Sequence, residues 1–189
     1  MVGELVSGLD KLGHYTQQPQ TWGGIAVVLA VGGGGRGRRA ALRGSASYGL
    51  AAVIANFLVK PLIRRRRPSG AGKGKLGPMT SSFPSGHAAA DLAFTFGAAQ
   101  EIPALLVPLV AATLPAHWSL VRSNGHHTTD VLVGGAVGLA VAWGMWKVWP
   151  VPHRDDDRSE RRTGRVSRER QRHRDELDRG QADRHVLSG

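Results

Sequence analysis

His126 and Asp130 stand four residues apart in the stretch HHTTD. On a helix that spacing puts both on one face, where the carboxylate can hold one ring nitrogen protonated and leave the other free as a nucleophile. A second histidine, His87, follows Pro84-Ser85-Gly86 at the start of an apolar segment. The amides around Ser85 and Gly86 then point out of a helix N-terminus, where unpaired N–H groups and the helix dipole favour an anion. Lys60 and Arg67 bracket the run KPLIRRRR, and Arg122 lies four residues before His126. Cations and amides form a cradle for phosphate, one histidine can attack phosphorus, and the other can donate a proton. Asp91, four residues after His87, has the spacing to support that imidazole as Asp130 supports His126. His14 and His117 read as structural or interfacial, and Arg64, Arg65 and Arg66 as interfacial charges.

These groups need elements to hold them. Before Pro150 the charges are bunched into short clusters between apolar runs: Thr21–Gly35, Gly44–Val59, Phe83–Gln100, Ile102–Val121 and Val131–Trp146. Most fall short of the ~20 residues that cross a hydrocarbon core, a gap that snorkelling Arg43, Lys60 and Lys147 can close. The runs are rich in Gly and Ala, which suits close helix packing in lipid. Trp146 and Trp149 resemble an interfacial belt. The expectation is an all-α integral membrane bundle with about five to six transmembrane helices, the sixth being the amphipathic stretch Val2–Tyr15 if it inserts. The rival is a soluble bundle of buried helices. If each run crosses once, residues 60–87 and 117–130 meet at one membrane face.

The net charge is +11, but its distribution decides more than its sum. Residues 1–150 carry 14 Lys and Arg against five acids, whereas 151–189 carry 11 Arg against nine acids. The mean hydropathy of −0.19 averages these unlike regions. A membrane-embedded domain over 1–152 and a charged, disordered cytoplasmic tail over 153–189 follow. Gly32–Gly44 reads as a flexible basic loop. That loop and the tail favour the cytoplasmic side, leaving the site extracytoplasmic in the plasma membrane. No cysteine is present, so disulfides and thiolate metal sites are unavailable. The first 20 residues lack the pattern of a cleavable signal peptide.

Three motifs taken together resemble the type 2 phosphatidic acid phosphatase (PAP2) superfamily: Lys60 with Arg67-Pro68 after six residues, Pro84-Ser85-Gly86-His87, and His126 with Asp130. The resemblance spans about residues 22–150. It implies a PAP2/haloperoxidase-like helical core and a metal-independent phosphatase without a cofactor. Lys60, Arg67 and the backbone at Ser85 and Gly86 would bind phosphate. His126 would form a phosphohistidine, Asp130 would orient it, and His87 would protonate the leaving oxygen. The family's third motif places an arginine six residues before the histidine; here that position is Leu120, and Arg122 is the candidate replacement, the alternatives being a surplus arginine from Arg64–Arg66 or no ligand there.

The expected substrate is a lipid or polyprenyl phosphate or pyrophosphate, with no nucleic-acid partner; the Gly- and Arg-rich composition fits a bacterial source. Three other readings use the same residues. The pairs His87/Asp91 and His126/Asp130 would serve a metal-dependent hydrolase, although the nearby cations repel a metal ion. A protein with weakened catalysis would be an anchor that binds anionic lipid. A haloperoxidase is disfavoured by a site embedded in lipid.

Overall fold

The computed structural model describes residues 18–63, 65–68 and 81–151, with Gly8, Lys11, Tyr15, Ser167 and Gln171. The chain divides into two units, Met1–Pro150 and Val151–Gly189. The expected N-terminal amphipathic helix and charged tail lie almost wholly outside the described residues.

Every element described is helical, and each apolar run forms a helix. The helices are α1 (Pro19–Gly32), α2 (Gly34–Val53), α3 (Gly86–Glu101), α4 (Leu106–Arg122) and α5 (Thr128–Val148). A π-helical segment, Ile54–Val59, extends α2, and a 3-10 turn, Pro103–Leu105, leads into α4. Among the described residues, three spans are long and apolar enough to cross a membrane: Gly34–Val59, Pro103–Arg122 and Thr128–Val148. The helices α1 and α3, of 14 and 16 residues, rise about 21 and 24 Å, short of a ~30 Å hydrocarbon core. Val28, Val31, Phe57, Val107, Leu132 and Trp143 are among the apolar side chains turned outward. So large an exposed apolar surface suits lipid and not water.

Gly32–Gly44 is not a loop. Its only break is at Gly33 and Gly34, the latter at φ 59°, and α2 begins immediately after. The turn between α1 and α2 is tight: a Cβ on Gly37 would lie 2.0 Å from the Leu29 carbonyl oxygen. Arginine and alanine are good helix formers, so the basic residues continue α2. Arg43 does not snorkel outward. Its side chain is fully buried, with Nε donating to Glu101 at 3.1 Å and its guanidinium over the Trp149 ring at 4.8 Å. Gln100 Nε2 donates to the Ala142 carbonyl at 2.8 Å. These contacts tie α2, α3 and α5 together at the end opposite the histidines.

The central helix is α3, packed against α2, α4 and α5. A helix surrounded on all sides needs small apolar residues all round, and Ala88, Ala89, Ala90, Ala93, Ala98 and Ala99 are all buried. Phe94 fills the α1 side, its ring 5.1 Å from that of Trp22. On the α5 side, Gly134 and Gly138 let the two backbones touch.

Candidate active site

The C-terminal end of α2, the N-terminus of α3 and the α4–α5 connection meet at one end of the bundle. Backbone hydrogen bonds fix the meeting: Ser82 N donates to the Arg65 carbonyl and Ser85 N to the Asp130 carbonyl, both at 2.9 Å. Ser85 also caps α3, its Oγ accepting from Ala88 N.

His126 is buried at this junction, 3% exposed, so water does little to choose its protonation state. Its neighbours choose the tautomer. Nδ1 lies 2.8 Å from the Ser82 carbonyl oxygen, which can only accept, and Nε2 lies 3.3 Å from Arg67 Nη1, which can only donate. The proton therefore sits on Nδ1, and the Nε2 lone pair faces a guanidinium. Burial, and then the Arg67 charge, pulls the imidazole down to about 4, so it is neutral at ordinary pH. Arg67 is itself held by the Gly125 carbonyl at 2.9 Å.

Asp130 stands one step back from where the spacing alone puts it. Its Oδ2 is 3.8 Å from His126 Nδ1, and the proton on that nitrogen goes to Ser82. The carboxylate is committed elsewhere: Oδ2 accepts from His127 N at 2.9 Å, closing the first turn of α5, and Oδ1 accepts from Arg65 Nη1 at 2.8 Å. Asp130 thus acts on the ring through its charge. Arg65, read from sequence as an interfacial charge, is a site residue in this geometry, and also donates to Thr129 Oγ1 at 2.6 Å.

Lys60 is buried beside them, its ammonium on Asn56 Oδ1. Burial and the Arg67 charge push it below the ordinary lysine range. His87 opens α3 and is exposed, within electrostatic reach of Lys60 and Arg67. Gly86 packs on the Asn56 amide. Asp91 lies fully buried one turn below His87, and its Oδ2 is 3.7 Å from His117 Nε2 on α4. Arg122 is exposed in the last turn of α4. At the family's arginine position, Leu120 is buried, and its carbonyl accepts from Gly125 N and His126 N at 3.2 and 3.1 Å. Among the described residues no three metal-ligating side chains converge.

Sequence reading missed Asn56, Ser82 and Gly125. Asn56 had a signal, as a polar residue in an apolar run four before Lys60. Ser82 and Gly125 act through backbone carbonyls, which leave no trace in side-chain type.

The site is a neutral histidine with its reactive nitrogen turned to an arginine, next to a buried lysine and a capped helix N-terminus. No curated protein and no solved structure matches the chain. The family model described as PAP2 superfamily matches residues 41–154, a stretch that takes in Lys60, Arg67, His87, His126 and Asp130. With well over half of the sequence inside that match, the chain is a member of the PAP2 superfamily.

Proposed function

We propose that the chain is a membrane phosphatase that hydrolyses the phosphomonoester or pyrophosphate of a lipid or polyprenyl substrate through a phosphohistidine on His126. The observation that carries this reading is the unprotonated Nε2 of His126 facing Arg67. A phosphate drawn to Arg67, Lys60 and the α3 N-terminus brings its phosphorus to that lone pair. Nε2 attacks, the P–O ester bond breaks, and the leaving oxygen takes a proton from His87. The imidazole gains positive charge as the P–N bond forms, and the Ser82 carbonyl and the Asp130 carboxylate stabilise it. His87, now neutral, takes a proton from water. The resulting hydroxide attacks phosphorus, the P–N bond breaks, and phosphate leaves. Arg65 holds Asp130, and Asp91 supports His87 from below. The cations and amides carry the developing charge, so the mechanism uses no metal ion.

The same reading takes all five helices, and the N-terminal segment where it inserts, as membrane-crossing. The short α1 and α3 are matched by tilt and local thinning of the bilayer. The site then lies at the extracytoplasmic face of the plasma membrane, and the tail from 153 onward is cytoplasmic.

The test is rapid base quench of the detergent-solubilised protein with a ³²P-labelled lipid phosphate in EDTA. The expected result is protein-bound label that survives base and is released by acid, the behaviour of a phosphoramidate. Label stable to acid, or turnover abolished by the chelator, overturns the mechanism.

The low position of His126 also fixes the acid side of the pH profile. Because the imidazole titrates near 4 and not at its ordinary 6.5, the nucleophile stays unprotonated through mildly acidic pH. The acid limb of kcat/KM attributable to His126 is therefore expected below about pH 5. An unfolded chain takes up that proton near 6.5, so the contribution of neutral His126 to stability is complete above 6.5. It is lost as pH falls from there toward 4. An acid limb that follows an ordinary histidine, with no stability loss over that window, would show that Nε2 is not shielded as described.

A further inference from the structure

Lys60 is a buried ammonium with a neutral partner. Its Nζ lies 2.5 Å from Asn56 Oδ1. Among the described residues, the charged or titratable groups acting on it are Arg67 from the 65–68 segment, His87 from α3 and His126 from the α4–α5 connection. None of these is an acid. A buried cation ordinarily takes a carboxylate partner, and here an amide stands in that place.

Asn56 is itself fixed. Its Nδ2 donates to the Ala52 carbonyl at 2.9 Å, which orients the amide and aims Oδ1 at the ammonium. Its other side lies against the start of α3: a Cβ added to Gly86 would fall 2.7 Å from Asn56 Oδ1 and 3.0 Å from Nδ2. The wider winding of Ile54–Val59 places both residues, with Lys60 N bonded to the Ala55 carbonyl at 3.1 Å. Such π segments recur at functional sites.

We propose that Asn56 is a positioning residue of the phosphate site, holding the Lys60 ammonium at the N-terminus of α3 while leaving its charge uncancelled for the incoming anion. The inference rests on the phosphatase reading. An amide oxygen satisfies one ammonium hydrogen through a dipole, so the full positive charge remains for phosphate. A carboxylate would satisfy it equally well, and would neutralise it. The identity of residue 56 therefore decides whether Lys60 is a structural ion pair or an anion ligand. The lowered position of Lys60 agrees with a site that lacks a countercharge.

The test is Asn56→Asp in the full-length protein, in detergent. The two side chains have the same shape and Oδ1 remains an acceptor for Lys60, but the bond to the Ala52 carbonyl is lost, so thermal unfolding of the variant in detergent is measured alongside. Binding of inorganic phosphate is measured by calorimetry from pH 6 to 10, alongside turnover of a lipid phosphate. The expected result is phosphate affinity weakened on the order of tenfold or more. The pH at which residual binding fails should also move upward, because the carboxylate holds the Lys60 proton more tightly. Asn56→Ala, which removes the partner without adding charge, is expected to bind better than Asn56→Asp at neutral pH if it folds. A purely structural role predicts the reverse order, with Asn56→Asp binding like wild type, and that outcome overturns the inference. Wild-type protein that neither binds phosphate nor releases it from lipid overturns the phosphatase reading, and this inference with it.

Discussion

His126→Ala is expected to lower lipid-phosphate turnover by about four orders of magnitude or more, the scale of losing a covalent nucleophile. The loss falls on kcat. Arg67 keeps its Gly125 carbonyl and Lys60 keeps Asn56, so the phosphate cradle survives. Freed from His126 Nε2, Arg67 gains an open hydrogen for the anion. Phosphate affinity should therefore stay within a few-fold of wild type while turnover disappears. The ring takes two hydrogen bonds with it, the one it donates to the Ser82 carbonyl and the one it accepts from Arg67 Nη1, a loss of about 2 kcal/mol in stability. The two readouts to compare are steady-state turnover and phosphate calorimetry. Activity within tenfold of wild type would assign the nucleophile elsewhere, with exposed His87 next to be tested. Loss of phosphate binding together with turnover would mean that His126 builds the site without reacting in it.

The second large effect is on the fold. Gly138→Val is expected to destabilise the protein by about 3 kcal/mol, the upper range for overpacking, or to prevent its folding. A Cβ at Gly138 would lie 2.2 Å from the Ala89 carbonyl oxygen and 3.0 Å from Ala93 N. Both are backbone atoms of α3 and cannot rotate out of the way. One turn earlier, a Cβ at Gly134 would lie 2.3 Å from the Ser85 carbonyl, so α5 meets α3 along a continuous line ending at the site. The clash must push the two helices apart. Asp130 rides on α5 and His87 on α3, so what folds should also lose activity. Gly144 on the same helix has nothing within 4 Å of an added Cβ, and Gly144→Val is the control. Thermal unfolding in detergent decides it: equal midpoints for the two variants would mean that the close contact is absent.

Much of this was legible in the sequence, for identifiable reasons. The five helices follow from where charges are absent, a signal that lipid-facing and buried positions share. Lys60, Arg67, His126 and Asp130, which the fold brings to one end of the bundle, were singled out because the proposed chemistry requires particular side chains at particular spacings. Reading failed where a residue's role depends on what faces it. Arg43 looks like an anchoring charge until Glu101, 58 positions later, is seen against it. Asp91 was matched to His87 by spacing alone, and no spacing shows that its Oδ2 also has His117 of another helix at 3.7 Å. The basic stretch after Gly34 looks like a loop because glycine and arginine abound there. It is a helix because only Gly34 takes a left-handed conformation and the arginines find partners. The spacing from Lys60 to Arg67-Pro68 singles out the fourth arginine of the run, which reaches His126, but no one-dimensional pattern shows that the second, Arg65, reaches Asp130.

The tethering of α3 has a mechanical consequence. Its first turn is joined to α5 through Ser85, Asp130 and Gly134, its middle is locked by Gly138, and its last turn is tied to α2 and α5 through Glu101 and Gln100. By contrast, α4 meets α5 over only a short stretch. Thermal give is therefore unevenly shared: α2, α3 and α5 form a stiff keel, and α4 is the plank that can lean away from it. His126 sits where plank and keel join. On the phosphatase reading, a bulky substrate chain would enter beside it without disturbing the three helices that hold the lysine, the capped N-terminus and the carboxylate in register.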